Sequence, residues 1–181
     1  MSIAIDLPGE QKKVRARSGA AAVVSVLALA GCYIVLPRLW TFPDDTAERI
    51  AFALRADIFV FLWVAIGVQR VSSGRYRSAA DNRGSAFAAP SPAIATKVAF
   101  LQNTLEQAFL AVGAHLALAA TAGGAPLALI PGAIALFAIG RITFAIGYPH
   151  GAGARAFGVA LTLLPSLILY GGALWHIVWP G

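Results

Sequence analysis

The sequence predicts an all-α integral membrane protein, and three observations carry that expectation. Hydrophobic residues make up 59% of the 181 positions and charged residues only 12%, with a mean hydropathy of +0.74, which is far from the balance of a water-soluble domain. Several apolar runs are long enough to cross the hydrocarbon core, which needs about 20 mainly apolar residues. The basic residues alternate in the polar connections: placing eleven of the fourteen Lys and Arg on one side leaves only Arg38, Arg49 and Arg55 on the other, the bias that fixes membrane orientation.

The same bias accounts for the net charge of +6. Nucleic-acid binding is not indicated, because the cations are scattered through loops without an aromatic-interleaved patch. Cys32 is the single cysteine, which excludes an intrachain disulfide, a CxxC redox pair and a cysteine metal cluster.

In chain order, residues 1–18 form a polar tail with Lys12, Lys13, Arg15 and Arg17, read as cytoplasmic, and residues 19–39 form a first transmembrane helix. A rival reading takes the basic tail, the apolar run and Leu29-Ala30-Gly31-Cys32 as a bacterial lipoprotein signal, although the chain stays apolar through Tyr33 to Leu36. Residues 47–181 are expected to form a four-helix transmembrane domain. Its first helix runs from about Ala47 to Gln69, with Asp45 or Thr46 as the cap, and carries Arg55 and Asp57. Asp57 reads either as a structural hydrogen bond to a neighbouring helix or as a group lining a cavity. Arg70 to Ala95 is a polar connection. Helices from Lys97 to Ala122 and from Leu127 to Tyr148 follow, joined as a hairpin by Gly123-Gly124-Ala125-Pro126, and a last helix occupies Ala156 to Trp179. Trp40, Trp175 and Trp179 fall where an outer aromatic belt would lie. The expected location is the bacterial inner membrane, with several passes, surrounded by lipid.

Gln102 to Gln107, reading QNTLEQ, interrupts one apolar helix with an amide, Asn103, and a carboxylate, Glu106, three residues apart on one face. A charge at that depth costs roughly 3 kcal/mol or more, so it calls for a partner. Glu106 lies about 13 Å in from Lys97 and Arg141 about 10 Å in from Tyr148 at 1.5 Å per residue, which predicts a Glu106–Arg141 pair. Arg141, Phe144, Tyr148 and Arg155 then descend toward the cytoplasm and outline a basic pocket, with Gly140 and Gly147 allowing close helix approach. Gly171-Gly172 reads as another packing feature. His115, His150 and His176 lie too far apart in depth to share a metal.

NTLEQ on one helix, followed by RITFAIGYPHGAGAR at the end of the next, resembles the MAPEG superfamily, the membrane-associated proteins of eicosanoid and glutathione metabolism. Asn103, Glu106, Arg141, Gly147, Tyr148 and Arg155 match the family pattern in type and spacing. The resemblance covers about Ala47 to the C-terminus as a MAPEG-like four-helix bundle and leaves one additional N-terminal helix. It implies a homotrimer with glutathione bound between subunits as co-substrate. Asn103, Glu106, Arg141 and Tyr148 would hold the tripeptide, and Arg155 would stabilise its thiolate for attack on a hydrophobic small-molecule electrophile. Arg70, Arg75 or Arg77 would approach from the next subunit.

Three positions depart from the family pattern: Ala99 in place of an arginine, Gln107 in place of an aromatic, and Phe144 in place of a tyrosine. Two functions of different class therefore follow. One is a glutathione-dependent transferase or peroxidase; the other is a non-catalytic binding or scaffold protein that keeps the Asn103, Glu106 and Arg141 clasp. A transporter using Asp57 and Glu106 as coupling carboxylates is disfavoured by the absence of an inverted repeat.

Overall fold

The computed structural model describes residues 6–179, and five long helices account for most of them: α1 (Leu7–Leu39), α2 (Thr46–Tyr76), α3 (Pro92–Thr121), α4 (Leu129–Gly147) and α5 (Ala152–Val178). Short 3-10 turns at Ala125–Ala128 and Tyr148–His150 lead into and out of α4. By length and composition α1, α2, the segment Ala125–His150 and α5 can each cross a membrane. The third expected span, α3, is 30 residues long but carries Lys97, Gln102, Asn103, Glu106, Gln107 and His115 and falls outside that set. The chain is a multi-pass integral membrane protein.

Several boundaries differ from expectation: α3 and α5 each start about a turn earlier than expected, at Pro92 and Ala152, and two further differences have local reasons. The basic N-terminal segment is helical from Leu7 onward, because Asp6 accepts the Gly9 N–H at 3.2 Å, Pro8 occupies the first turn and Glu10 pairs with Lys13 at 3.0 Å. Likewise α2 continues past Gln69 to Tyr76, so the polar connection shrinks to Arg77–Ser91. Asp81 organises that loop, accepting from Ser78 Oγ at 2.5 Å, Ser91 N at 2.8 Å and Ser91 Oγ at 2.6 Å. The Ser78 hydroxyl, followed by the Ser91 donors, holds the Asp81 carboxyl below its ordinary value of 3.8. At the opposite end of the bundle Asp45 caps α2 through the N–H groups of Ala47 and Glu48, as expected.

Helices α2, α3, α5 and α4 close a ring in that order, and α1 lies outside it against α5 and α4. The α3–α4 connection is tight, yet the two helices face each other across the bundle rather than side by side. This corrects the expected hairpin pairing. The reason is the α4–α5 crossing: a Cβ on Gly140 would lie 2.9 Å from Gly158 O, and one on Gly158 would lie 2.6 Å from Gly140 O. Glycines let the two backbones touch and draw α4 onto α5. By contrast, Gly171 has nothing within 4 Å and Gly172 only an ordinary contact with Leu118, so that pair does not serve packing within the chain.

A core of Leu29, Leu118, Leu127, Ile130, Leu136, Leu161 and Leu169 fills the half of the bundle nearer the α1–α2 loop. A cluster of polar groups around Arg141 lies toward the end bearing Arg70, Tyr148 and Arg155, called the basic end below.

Candidate functional site

Arg141 sits at the centre of the polar cluster, 0% exposed, between three helices. From α4 its Nη1 donates to Asn103 Oδ1 on α3 at 2.8 Å, and its Nη2 donates to Thr162 Oγ1 on α5 at 2.7 Å. Only a long, forked side chain spans the diagonal of the ring and serves both acceptors. The guanidinium also lies over Phe144 at 4.8 Å and Phe137 at 5.5 Å, while its Nε has no partner. Thr162 in turn donates to the carbonyl of Val159 at 2.9 Å, which orients the lone pairs that Arg141 uses.

Glu106 does not meet Arg141. Three residues past Asn103 on the helix, it is rotated by about 60°; it is exposed on the flank of α3 and accepts from Gln102 Nε2 at 2.9 Å. The expected ion pair is therefore replaced by an amide–guanidinium–hydroxyl clasp, and the expected open basic pocket is closed around Arg141 within the chain. Asn103 alone was legible as a partner. Thr162 was missed because a threonine in an apolar helix commonly bonds its own backbone, as this one also does.

Below the clasp an aromatic ladder runs to the basic end. Phe100 and Phe144 are 6.1 Å apart and Phe144 and Tyr148 are 5.3 Å apart, edge to face. Arg70 lies over Phe100 at 5.6 Å, and Arg155 lies over Tyr148 at 4.5 Å. Arg155 reaches Tyr148 because Gly151, with φ of 100°, turns the chain sharply between the 3-10 turn and α5. Half-buried, Arg155 has no carboxylate within ion-pair distance among the described residues. Beside it, a hollow of about 330 Å³ is lined by Arg17, Gly147 and His150. Of the five residues singled out in the sequence, Arg141 and Asn103 bond directly, Tyr148 and Arg155 stack at the basic end, and Glu106 stands on the outer flank.

The model of the MAPEG family matches residues 50–175, from the start of α2 to near the end of α5. The chain belongs to the MAPEG family. Neither a curated protein nor a solved structure matches the chain. The MAPEG unit is the four-helix ring, and α1 lies outside it. The three departures from the pattern have clear places: Phe144 stacks against both Arg141 and Tyr148, Gln107 is buried with its Oε1 unpartnered, and Ala99 is half-buried on α3.

A second polar pair lies in the other half of the bundle. Asp57 on α2 and His115 on α3 are 0% and 1% exposed, and Oδ1 and Nδ1 are hydrogen-bonded at 2.6 Å. Each residue was visible alone in the sequence; the pairing was not, although both lie in the half of their helix nearer the α1–α2 loop. Asp57 is thus the structural hydrogen bond to a neighbouring helix, with Oδ2 and His115 Nε2 left without partners.

Proposed function

We propose that this MAPEG protein is a membrane-embedded glutathione-dependent transferase or peroxidase that acts on small hydrophobic electrophiles. The observation that carries the reading is Arg155: a half-buried guanidinium set over the Tyr148 ring, with no carboxylate within ion-pair distance among the described residues. Such a cation favours a bound thiol as thiolate, the nucleophilic form. In transfer, the thiolate lone pair forms the S–C bond while the electron pair of the broken bond leaves with the departing group or with an opened epoxide oxygen, which then takes a proton.

The clasp supports a binding role for its neighbours. Arg141 occupies the Asn103 carbonyl oxygen, which leaves the Asn103 amide N–H groups as donors for a carboxylate of the tripeptide. Glu106, exposed on α3 at membrane depth, suits the ammonium of glutathione, and a charge there requires cover by ligand or a second subunit. The proposal includes a homotrimer with the ligand between subunits, the basic end in the cytoplasm and the protein in a bacterial inner membrane.

One observation favours the alternative of a non-catalytic binding or scaffold protein: Arg141 is sealed within the chain, with Nη1 on Asn103 and Nη2 on Thr162. Turnover separates the two. Purified protein given glutathione and a chromogenic electrophile should form conjugate in wild type, with Arg155→Ala at least about 100-fold slower, the scale of losing one positioned charge. Equal rates for both proteins would remove Arg155 from the chemistry.

A further inference from the structure

The end of the bundle opposite the basic end carries a charged hollow of its own, where the α1–α2 loop meets the first turns of α2. It holds about 680 Å³, and its lining includes Thr41, Phe42, Glu48, Phe52 and Arg55. Phe42 is buried and meets Phe52 edge to face at 5.6 Å, so the two rings give the hollow an apolar floor. Asp45, capping α2 between them in the chain, fixes where the loop ends and the helix begins.

Two opposite charges border this floor, and they do not satisfy each other. Glu48 and Arg55 stand seven residues apart on one stripe of α2, about 10 Å along its axis. Both are exposed, and neither has an ion-pair partner among the described residues. Helical side chains lean toward the N-terminus of their helix, which for α2 is the end bearing the hollow. The long stem of Arg55 therefore lifts its guanidinium toward the floor and out of the hydrocarbon.

Depth orders these groups. Trp40, Trp175 and Trp179 are exposed at this same end, where aromatic side chains mark the headgroup level. Glu48 lies in the first turn of α2 and Arg55 two turns deeper. Beyond Arg55 the stripe continues with Phe59 and Leu62, both exposed. From the aqueous side inward, the surface thus offers an anion, an aromatic floor, a cation and then bare hydrocarbon.

We infer that this hollow binds the head of a phospholipid carrying a primary ammonium, an ethanolamine phospholipid of that leaflet. Its phosphate sits on Arg55, its ammonium reaches Glu48 and Thr41 beside the Phe52 ring, and its chains follow Phe59 and Leu62. The sequence of charges selects a zwitterion in the orientation of a lipid, with phosphate nearer the hydrocarbon than amine; a purely anionic head answers Arg55 and leaves Glu48 opposed. The ammonium is primary because its three N–H groups suit the Glu48 carboxylate and the Thr41 hydroxyl, whereas a quaternary head has no N–H to donate and keeps only the attraction to charge and ring. The site shares no residue with the proposed glutathione chemistry.

The test is native mass spectrometry of the detergent-solubilised full-length protein, titrated separately with dioleoyl phosphatidylethanolamine, phosphatidylcholine and phosphatidylglycerol. The first ethanolamine lipid should bind about tenfold or more tightly than the first of either other lipid. Arg55→Gln should weaken it by a similar factor, and Glu48→Gln should remove the preference over phosphatidylglycerol; both side chains are exposed, so neither change disturbs the bundle core. Equal first binding of the ethanolamine lipid and either other lipid would overturn the proposal without reference to any variant. So would undiminished binding in Arg55→Gln, or a preference over phosphatidylglycerol that survives Glu48→Gln. Glycerophosphoethanolamine, the same head without chains, should not displace the lipid at equal concentration; displacement would assign the hollow to a soluble zwitterion instead. Because no thiol is present, failure here leaves the transferase reading untouched.

Discussion

Arg141 is a buried cation with no carboxylate partner among the described residues, and its stability in that place depends on two neutral oxygens and two ring faces. Removing one oxygen strands part of the guanidinium, so Thr162→Val should cost about 1–2 kcal/mol in unfolding from detergent micelles. Wild-type stability in that variant would mean that the Thr162 hydroxyl does not help to hold Arg141. The Asp57–His115 pair makes a sharper case. Truncating either partner leaves the other buried and unsatisfied, and each of Asp57→Leu and His115→Leu should lose about 3 kcal/mol. The double variant should lose much less than the sum, with a coupling of about 1–3 kcal/mol in a double-mutant cycle. Strict additivity would show that the two side chains do not depend on each other. At this scale the sequence was half legible. Asn103 and Arg141 stood out as polar groups in apolar helices, but depth along the chain could not say that α3 and α4 face each other across the ring, and rotation about α3 turned Glu106 away.

At the scale of elements, the α4–α5 crossing sets where Arg141 can reach. A methyl on Gly158 would be driven into Gly140 O at 2.6 Å and into the Phe144 backbone, so Gly158→Ala should destabilise by about 1–3 kcal/mol. Gly171→Ala, with open space around it, should change little in the same assay. Only the first glycine of the close pair was singled out from sequence, because a glycine in an apolar helix looks the same whether or not another backbone meets it. The α1–α5 junction brings a pH dependence. The Gly153 N–H, then Lys13, holds the Glu10 carboxyl below its ordinary value of 4.5. Its contribution is therefore complete above that value and is lost as pH falls through the lower folded one. Spin labels placed on the two helix ends should report separation only in acid, whereas Glu10→Gln should separate them already at neutral pH. A junction indifferent to both would show that Glu10 does not hold it.

The whole molecule joins a four-helix MAPEG ring to a helix that the family pattern does not include. Helical class, membrane character and the family were legible because hydrophobic run length and the joint NTLEQ and RITFAIGYPHGAGAR spacing depend on local sequence. The packing of α1 on α5 was not legible, since its polar contacts run from Glu10 and Arg17 to backbone groups more than a hundred residues away and its buried stripe of Ala21, Ser25 and Leu29 looks like any apolar run. The exposed carboxylate of Glu106 and the guanidinium of Arg155, which has no ion-pair partner among the described residues, leave the single chain with opposite charges for a ligand or neighbour to satisfy.

Calorimetric titration of the purified protein with glutathione, with thiolate absorbance followed in parallel, tests the central proposal most directly. Saturable binding below millimolar concentration, with a thiolate signal that Arg155→Ala removes, is the predicted result. No heat of binding at millimolar glutathione would contradict it and leave a MAPEG bundle whose clasp serves structure alone.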